Sequence, residues 1–337
     1  MNGREQKTGC SLLDARSGHG HLVPAKATHT RDALEQGSAH DAALLTSAFT
    51  CAPRAISETE FLLFQNVISR EAGIWLSPTK TALLVGRLAK RMRFYGLKSF
   101  NEYYSLVTES EEELHYMLDA ITTNETHFFR EPKHFELLQA SILPNWVAEA
   151  DAGYPRRIRA WSAGCSSGQE PYSLAMLLLD VFPPGCGWDI QIMATDLSTR
   201  VLDTAARGIY PAEAACEIPR EYLKAFMLKG LRDQADKIKV APEIQSVVRF
   251  FHLNLKDPSY PFSDKFDLIF CRNVLIYFDL HSRKEILSRL MNYLRPGGYL
   301  FLGHAEGLPA TCVPMRIVIP TVYQLNERCS HRNGTGQ

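Results

Sequence analysis

Two segments carry residue types that could bind a small polar ligand. The first is TTNETHFFR at residues 122–130, where six hydrogen-bonding side chains and an arginine surround Phe128 and Phe129. A core segment would be less polar, and a solvated loop rarely carries such an aromatic pair. The second is AWSAGCSSGQEPYS at residues 160–173, a turn of small residues between an apolar run and a helical pattern. Together they predict a ligand site built from two separate parts of the chain.

The residues that follow the first two predicted strands narrow the choice of ligand. In parallel sheets, ligands lie beyond the carboxyl ends of the strands. The predicted strand at residues 158–163 is followed by Gly164 and Gly168, where a backbone without a Cβ can approach a ligand closely. Asp196 follows the next predicted strand, and its carboxylate suits the two hydroxyls of a ribose. The alternative is that the glycines serve only the turn.

The next two strand ends complete a predicted nucleoside pocket. Asn254 could read an adenine edge with its amide, and Arg272 with Asn273 follow the fourth strand. The turn GCSSG is neither the dinucleotide fingerprint nor a phosphate-binding loop. Asp196 also lies further past Gly168 than the roughly 20 residues typical of a dinucleotide site. A nucleoside without phosphates fits this pattern, and S-adenosylmethionine is the commonest one.

Two kinds of region must position these residues. Capping signals at Ser57, at Ser77 with Pro78, and at Ser110 predict that residues 56 to about 135 are all-helical. Strand and helix patterns alternate beyond Arg157, which predicts a parallel, doubly wound sheet. Residues 211–246 interrupt the alternation and are predicted to be a small insertion.

Composition excludes several classes of protein. The chain has 337 residues with 37 basic and 37 acidic side chains, so net charge favours no partner. Its longest apolar runs fall short of the ~20 residues that a membrane helix needs, and we expect no membrane insertion and no secretory signal. The eight cysteines form no CxxC pair, so we expect reduced thiols and no bound metal. Residues 1–54 and 327–337 are predicted to be flexible tails.

Five motifs in order resemble the CheR family of chemotaxis methyltransferases: AITTNETHFFR, WSAGCSSGQEPYS, ATDLS, FDLIFCRNVLIYFD and LRPGGYLFLGHAEG. The resemblance extends over residues 56 to 326. It implies an α/β fold, with a helical N-terminal substrate-docking domain at residues 55–135. A Rossmann-like class I S-adenosylmethionine methyltransferase domain then follows at residues 136–326, with a mostly parallel sheet. The insertion at about 211–246 corresponds to the family's small β-subdomain, and its single glycine argues against binding of a receptor peptide there.

The resemblance also implies a function. Family members methylate glutamate side chains of methyl-accepting chemotaxis receptors in the cytoplasm, giving glutamyl methyl esters and S-adenosylhomocysteine. Matched residue by residue, the predicted cofactor-binding residues are Asn124, Thr126, Arg130, Gly164, Glu170, Asp196, Asn254, Leu255, Arg272 and Asn273.

Arg130 and Tyr277 are the predicted catalytic residues. A glutamate carboxylate is already ionised near neutral pH, so it can attack a sulfonium methyl without a general base. Catalysis then depends on proximity and alignment. Arg130 could orient the carboxylate through its guanidinium, and Tyr277 through its hydroxyl. The alternatives are a surface ion pair for Arg130 and simple packing for Tyr277.

The predicted helix at residues 79–96 has five basic side chains and no acidic one. Arg87, Lys90 and Arg91 share one face by helical spacing. This face is either a solvated surface or a docking site for an acidic partner. Because receptor methylation helices are rich in glutamate, we expect the docking role.

Two rival functions stay open from the sequence. One is methylation of another substrate, such as RNA or a different signalling protein, and the basic helix could then bind phosphates. RNVLIY stands where an amine-methylating Asn-Pro-Pro-Tyr motif would be expected, so we expect no nucleic-acid partner. The other is a non-catalytic adaptor that senses the cofactor. We expect an active, monomeric enzyme.

Overall fold

The computed structural model describes residues 55–308 and 315–326. The two predicted tails, residues 1–54 and 327–337, lie outside the described residues. Within the described ranges, no helix has both the length and the apolar character needed to cross a membrane.

The N-terminal part is helical, as predicted. It contains α1 (Glu58–Ala72), a 3-10 turn (Pro78–Lys80), α2 (Thr81–Phe94), α3 (Phe100–Glu109) and α4 (Glu111–Ile121). The capping box at the start of α1 is confirmed, because Ser57 accepts from the Glu60 amide and Glu60 accepts from the Ser57 amide. Ser77 and Ser110 also act as N-caps, without the reciprocal bond: their side chains accept from the amides of Thr79 and Glu113 at the start of the 3-10 turn and of α4. Local sequence therefore determines where three of these elements begin.

A single apolar core holds these helices together. Leu84, Leu88 and Met92 recur at helical spacing along α2 and are all buried. They pack with Phe64 of α1 and Tyr103 of α3, whose rings stack with centroids 6.0 Å apart. Burial of this stripe orients the opposite, basic face of α2 away from the core.

The segment between the two cores belongs by packing to the sheet. It consists of α5 (Pro132–Leu137), one π-helical turn (Leu138–Ile142) and α6 (Leu143–Asp151). Phe128 and Phe135 are both buried in the core on one face of the sheet. The packing therefore changes between Ile121 and Phe128, earlier than the predicted boundary at residue 135.

The second core surrounds a seven-stranded sheet. Its strands are β1 (Arg157–Ala163), β2 (Asp189–Asp196), β6 (Val248–His252), β7 (Phe266–Cys271), β8 (Leu294–Leu302), β9 (Met315–Ile319) and β10 (Val322–Leu325). They lie side by side in the order β6-β2-β1-β7-β8-β10-β9. The first five are parallel, and β10 and β9 add an antiparallel edge. The strand order reverses between β1 and β7, which is where such sheets bind ligands.

Helices cover both faces of the sheet, so the predicted doubly wound fold is confirmed. They are α7 (Gln169–Val181), α8 (Thr199–Arg207), α9 (Arg220–Phe226), α10 (Pro242–Ser246) and α11 (Leu280–Tyr293). The predicted insertion contains α9 and most of a separate antiparallel sheet of order β3-β5-β4. That sheet consists of β3 (Ile209–Pro211), β4 (Met227–Lys229) and β5 (Lys237–Val240).

The strand after α11 begins earlier than the sequence indicates. From the sequence we expect a helix over residues 282–294, stopped by Pro296, Gly297 and Gly298, and a strand from Tyr299. The helix does end there, at Tyr293, but the three residues already lie inside β8. Gly297 has φ 76°, and the pairing of β8 with β7 shifts register beside it. A bulge therefore absorbs the residues that local sequence marks as a helix stop.

Candidate functional site

A cavity of about 200 Å³ lies at the carboxyl ends of the parallel strands and is closed on one side by the helical domain. Its lining includes every predicted cofactor-binding and catalytic residue: Asn124, Thr126, Arg130, Gly164, Glu170, Asp196, Asn254, Leu255, Arg272, Asn273 and Tyr277. The helical domain contributes apolar side chains that the sequence did not reveal, among them Ile74, Trp75 and Leu83. Ile74 and Leu83 carry no polar side-chain group, and Trp75 has only its indole N–H, so no chemical signal in the sequence marked them in advance.

Two glycines of the turn after β1 lie in close contact with neighbouring parts of the protein. Gly164 has φ 82°, and a Cβ there would meet Val274 at 2.4 Å. Gly168 does not line the cavity, and a Cβ there would meet Ala205 at 2.8 Å. Gly164 therefore lets two turns approach each other at the cavity, whereas Gly168 serves the packing of α7 against α8.

Asp196 lies at the end of β2 with its carboxylate buried. It accepts hydrogen bonds from the backbone amides of Ser166 (2.8 Å) and Ser198 (3.0 Å). Burial raises the pKa of Asp196, although these two amides counteract the shift. A carboxylate has about four acceptor positions, so two amides leave room for two hydroxyl donors from a ligand.

Glu170 and Arg272 form a second polar group deeper in the cavity. Glu170 accepts from the Ser162 hydroxyl at 2.7 Å and lies 3.5 Å from the Arg272 guanidinium. Burial raises the pKa of Glu170, and Arg272 opposes that shift. Arg272 also lies 3.5 Å from Glu131, a residue that sequence reasoning missed although it directly follows the TTNETHFFR motif.

Arg272 has unused hydrogen-bonding capacity. Its Nε and Nη1 are buried and make no hydrogen bond to any residue in the described ranges, while Nη2 donates to the Arg130 carbonyl oxygen. Buried donors without acceptors are rare and costly in proteins. Because Arg272 lines the cavity, an acceptor on a bound ligand would satisfy it.

Arg130 projects from a strained strap. The residues on either side, Phe129 and Glu131, have φ of 51° and 59°, a conformation that residues other than glycine seldom adopt. Contacts on the sheet side hold the strap, since Phe129 stacks on Tyr222 and its amide donates to the Ser173 hydroxyl.

The Arg130 guanidinium keeps most of its donors free. Within the described part of the chain it makes one hydrogen bond, to the Glu125 carbonyl oxygen at 3.1 Å. No carboxylate among the described residues pairs with it, so the surface ion pair considered from the sequence is not observed there. This cavity wall therefore presents an available cation.

Tyr277 ends a 3-10 turn between β7 and α11. Its carbonyl oxygen accepts from the Trp75 amide at 2.8 Å, which links the turn to the helical domain. Its ring lies beneath Lys80, with Nζ 5.9 Å from the ring centroid. The hydroxyl makes no hydrogen bond within the described part of the chain, so the side chain can serve a ligand.

Asn254 has a structural task that the sequence did not show. Its Nδ2 donates to the Glu71 carbonyl oxygen at 2.7 Å, and its Oδ1 accepts from the Lys256 amide at 2.9 Å. The amide thus ties the end of α1 to the turn after β6. An adenine contact, if made by this side chain, must use the remaining donor and acceptor positions.

Two of the three predicted docking residues have partners inside the protein. Arg87 donates through Nη1 to the carbonyl oxygens of Ala120 (2.8 Å) and Thr122 (2.9 Å), where α4 ends and the TTNETHFFR segment begins. Arg91 forms an ion pair with the buried Glu113. Lys90 is exposed. The structure therefore corrects the prediction of one free basic face, since Arg87 and Arg91 are engaged inside the protein. The sequence did not reveal these partners because they lie more than 20 residues away along the chain.

Replacing Arg91 with alanine is expected to lower the free energy of unfolding by about 2–3 kcal/mol, because it leaves Glu113 buried without its cation. Tyr95 and Tyr103 would still donate to that carboxylate, at 2.9 and 2.7 Å. Urea unfolding measures the change. Arg93→Ala removes an exposed cation from the same helix and should change stability by less than about 0.5 kcal/mol. Equal stabilities for the two variants would contradict the assignment.

Comparison with known proteins gives matches over almost the whole described chain. The family model "CheR methyltransferase, all-alpha domain" matches residues 59–122, and "CheR methyltransferase, SAM binding domain" matches residues 124–321. The two models meet where the packing changes from the helical core to the sheet.

Individual relatives agree with the family models. The chain is 38% identical over 274 residues to a chemotaxis protein methyltransferase of Borreliella burgdorferi, covering 80% of this chain and 95% of the relative. It is 41% identical over 258 residues to chemotaxis protein methyltransferase 1 of Pseudomonas aeruginosa, covering 75% and 91%. The chemotaxis protein methyltransferase of Escherichia coli is 35% identical over 280 residues, covering 81% and 93%.

Proposed function

Because the chain belongs to the CheR family of S-adenosylmethionine-dependent chemotaxis methyltransferases, we propose that it methylates glutamate side chains of methyl-accepting chemotaxis receptors. The products are glutamyl methyl esters and S-adenosylhomocysteine. The observation that carries the proposal is the Arg130 guanidinium, which pairs with no carboxylate among residues 55–308 and 315–326 and lies in the wall of a cavity whose other polar groups suit a nucleoside.

The polar groups of the cavity fit S-adenosylmethionine by charge. Asp196 has acceptor positions left for the two ribose hydroxyls. Glu170 provides a carboxylate for the amino group of the methionine part. The buried Arg272 Nη1, which has no acceptor among the described residues, suits the carboxylate of that part. The cavity thus offers one charged partner for each of these three groups of the cofactor.

The chain's own contribution to the reaction is placement and charge. When bound, S-adenosylmethionine would supply a methyl group on a positively charged sulfur. A glutamate carboxylate oxygen would bond to the methyl carbon while the carbon–sulfur bond breaks, so the sulfur leaves as the neutral thioether of S-adenosylhomocysteine. Arg130 would hold the incoming glutamate carboxylate by charge-assisted hydrogen bonds, and the free Tyr277 hydroxyl would donate to the same group. No proton has to be removed, so the site needs no general base. Exclusion of water by the buried apolar residues of the lining, such as Ile74 and Phe278, would strengthen these electrostatic contacts.

The acidic receptor helix would approach along exposed cations of the helical domain. Lys80 lines the cavity, and Lys90 and Arg93 continue along α2 as exposed side chains. We propose these three in place of Arg87 and Arg91 as the docking surface, because none of them pairs with a carboxylate among the described residues, although Lys80 also lies over the Tyr277 ring. Opposite charges of this kind mainly increase the rate of association.

Reversing two of these charges, with Lys90→Glu and Arg93→Glu together, is expected to reduce receptor methylation about tenfold at low salt while sparing cofactor affinity. The defect should diminish as salt is raised, because exposed charges are screened. Arg156→Glu with Arg157→Glu makes the same charge change near the amino end of β1, far from the cavity, and serves as the control. Equal turnover by both double variants would exclude docking on α2.

The proposal also has consequences for location and assembly. S-adenosylmethionine is made inside cells, so a protein with this activity would work in the cytoplasm. A single copy would suffice, because all the predicted site residues come from one chain. We therefore propose a cytoplasmic monomer.

A side-by-side assay tests the proposed substrate class. Wild-type protein is incubated with tritiated S-adenosylmethionine and either a receptor cytoplasmic fragment or total RNA. Label in the receptor fragment, and none after its methylation-site glutamates are changed to alanine, supports the proposal. Label in RNA would favour the nucleic-acid alternative, and cofactor binding without transfer to either would favour a sensing adaptor.

A further inference from the structure

The turn at residues 273–278 joins β7 to α11 and carries two of the predicted site residues, Asn273 and Tyr277. Asn273 has φ 59°, a left-handed conformation that asparagine adopts more readily than most residues. Two charged side chains, from different elements, contact its backbone.

Glu306 holds the turn through its amide groups. Its carboxylate is buried, and Oε2 accepts from the amides of Asn273 and Gly303, both at 2.8 Å. Oε1 accepts from the amide of Ile276 at 3.2 Å. Hydrogen bonds from amides to an ionised acceptor are stronger than those to a neutral one. One carboxylate thus fixes the start of the turn and the residue before Tyr277.

Gly303 makes this approach possible. A Cβ at position 303 would lie 2.7 Å from Asn273 Nδ2 and 2.8 Å from the Asn273 amide nitrogen. Glycine is therefore required because the end of β8 lies directly against the turn. This gives a physical role to Gly303 and Glu306 within the motif LRPGGYLFLGHAEG, which the cavity itself leaves unexplained.

Arg283 holds the same turn through its carbonyl groups. Its Nε donates to the Phe278 carbonyl oxygen at 2.8 Å, and its Nη2 donates to the Ile276 carbonyl oxygen at 3.3 Å. These two carbonyls flank Tyr277. An anion on the amide groups and a cation on the carbonyl groups together fix the backbone on both sides of that tyrosine.

We propose that Glu306 and Arg283 are positioning residues, which hold the turn so that Asn273 and Tyr277 reach the cavity. Neither lines that cavity; both instead line a separate small depression behind the turn. The inference rests on the proposed function, since it assigns Tyr277 to the methyl-transfer site. It predicts that both residues affect the site without touching cofactor or substrate.

The test compares Glu306→Gln and Arg283→Gln with Asp267→Asn. Asp267 is equally buried, lies near the start of β7 at the opposite end of that strand, and accepts from the Arg159 amide at 2.7 Å. It is thus a matched carboxylate without contact to the turn. For each folded variant one measures kcat and KM for a receptor fragment, S-adenosylhomocysteine affinity by calorimetry, and hydrogen exchange of the Asn273 and Ile276 amides.

We expect Glu306→Gln to lower kcat on the order of 10-fold to 100-fold, because a small misplacement of reacting groups costs that much. It should also weaken S-adenosylhomocysteine binding about tenfold through Asn273 and speed exchange of both amides. Arg283→Gln should lower kcat by a similar factor with little change in affinity, because its contacts flank Tyr277. Asp267→Asn should keep the kcat and affinity of the wild type even if its melting temperature falls.

Several results would overturn the proposal. One is wild-type kcat and amide exchange in Glu306→Gln. Another is an equal loss of kcat in Asp267→Asn at the same folded fraction, which would indicate a general effect of stability. If Glu306→Gln does not fold, a wild-type kcat in Arg283→Gln would overturn the proposal instead. If the wild-type protein binds S-adenosylhomocysteine but methylates no receptor, the proposed function fails. The amide exchange and the S-adenosylhomocysteine affinity of Glu306→Gln would then still show whether Glu306 holds the turn.

Discussion

Replacing Arg130 with alanine is expected to reduce methyl transfer by about 10²- to 10³-fold and to leave the fold intact. The guanidinium makes one hydrogen bond, to the Glu125 carbonyl oxygen, and pairs with no carboxylate in the described ranges. Its loss therefore removes little that stabilises the protein. It does remove the cation that would compensate and orient the substrate glutamate. The strap itself is held by the backbone contacts of Phe129, which the substitution spares.

The measurement is transfer of tritium from labelled S-adenosylmethionine to a receptor fragment at saturating cofactor. Arg249→Ala, which removes an exposed arginine from β6, is the matched control and should keep full activity. Arg130→Lys should recover only part of the rate, since an ammonium cannot make the paired contact of a guanidinium. Wild-type activity in Arg130→Ala would remove Arg130 from the mechanism.

Replacing Asp196 with asparagine is expected to weaken cofactor binding by about 2–3 kcal/mol, or roughly 30- to 150-fold. The change removes the ionised acceptor for two hydroxyl groups. In the wild type, the backbone amides of Ser166 and Ser198 donate to the carboxylate. The substitution also places the NH₂ donor of asparagine near these two donors. Calorimetry with S-adenosylhomocysteine measures the loss. Asp189→Asn, at the exposed beginning of the same strand, should bind like the wild type.

The same carboxylate gives the binding a pH dependence of known sign. Burial raises the pKa of Asp196 in the free protein, and hydroxyl donors from a ligand favour its ionised form. Affinity should therefore fall as pH is lowered through that raised pKa, at a higher pH than an ordinary aspartate would give. Asp196→Asn should lack this component. An affinity unchanged by the substitution would refute the ribose contact.

The sequence predicted well those features that depend on local chemistry. The helix starts at Ser57 and Ser110 follow from capping side chains that act on amides three residues away. The strand ends at Ala163, Asp196 and Cys271 were predictable because buried apolar runs stop at polar or glycine residues. A parallel sheet then brings those ends together, which is why separate motifs predicted one cavity.

The sequence could not show how polar side chains are shared between distant segments. Helical spacing places Arg87 and Arg91 on one face of α2. In the structure, however, Arg87 donates to a carbonyl oxygen at the end of α4, and Arg91 pairs with the carboxylate of Glu113 in that same helix. Likewise, the side-chain amide of Asn254 donates a hydrogen bond to the carbonyl oxygen of Glu71, far away along the chain. Spacing predicts the direction of a side chain, whereas its availability depends on tertiary contacts.

Buried charges behind the cavity were missed for a related reason. Glu131 and Glu306 lie within or beside recognised motifs, yet their partners are backbone amides and an arginine from other elements. An acidic residue in a motif that ends a strand is a usable signal. It could have indicated that a carboxylate is held inside rather than exposed at the surface.

The proposed reaction is esterification of glutamate carboxylates, and the chemical nature of the product tests it most directly. A receptor fragment is incubated with the protein and S-adenosylmethionine, digested and analysed by mass spectrometry before and after mild alkali. We expect one added methyl group on specific glutamates, removed by alkali with release of methanol, and none with the Arg130→Ala variant. An alkali-stable methyl group on lysine, arginine or RNA, or modification that persists without Arg130, would contradict the claim.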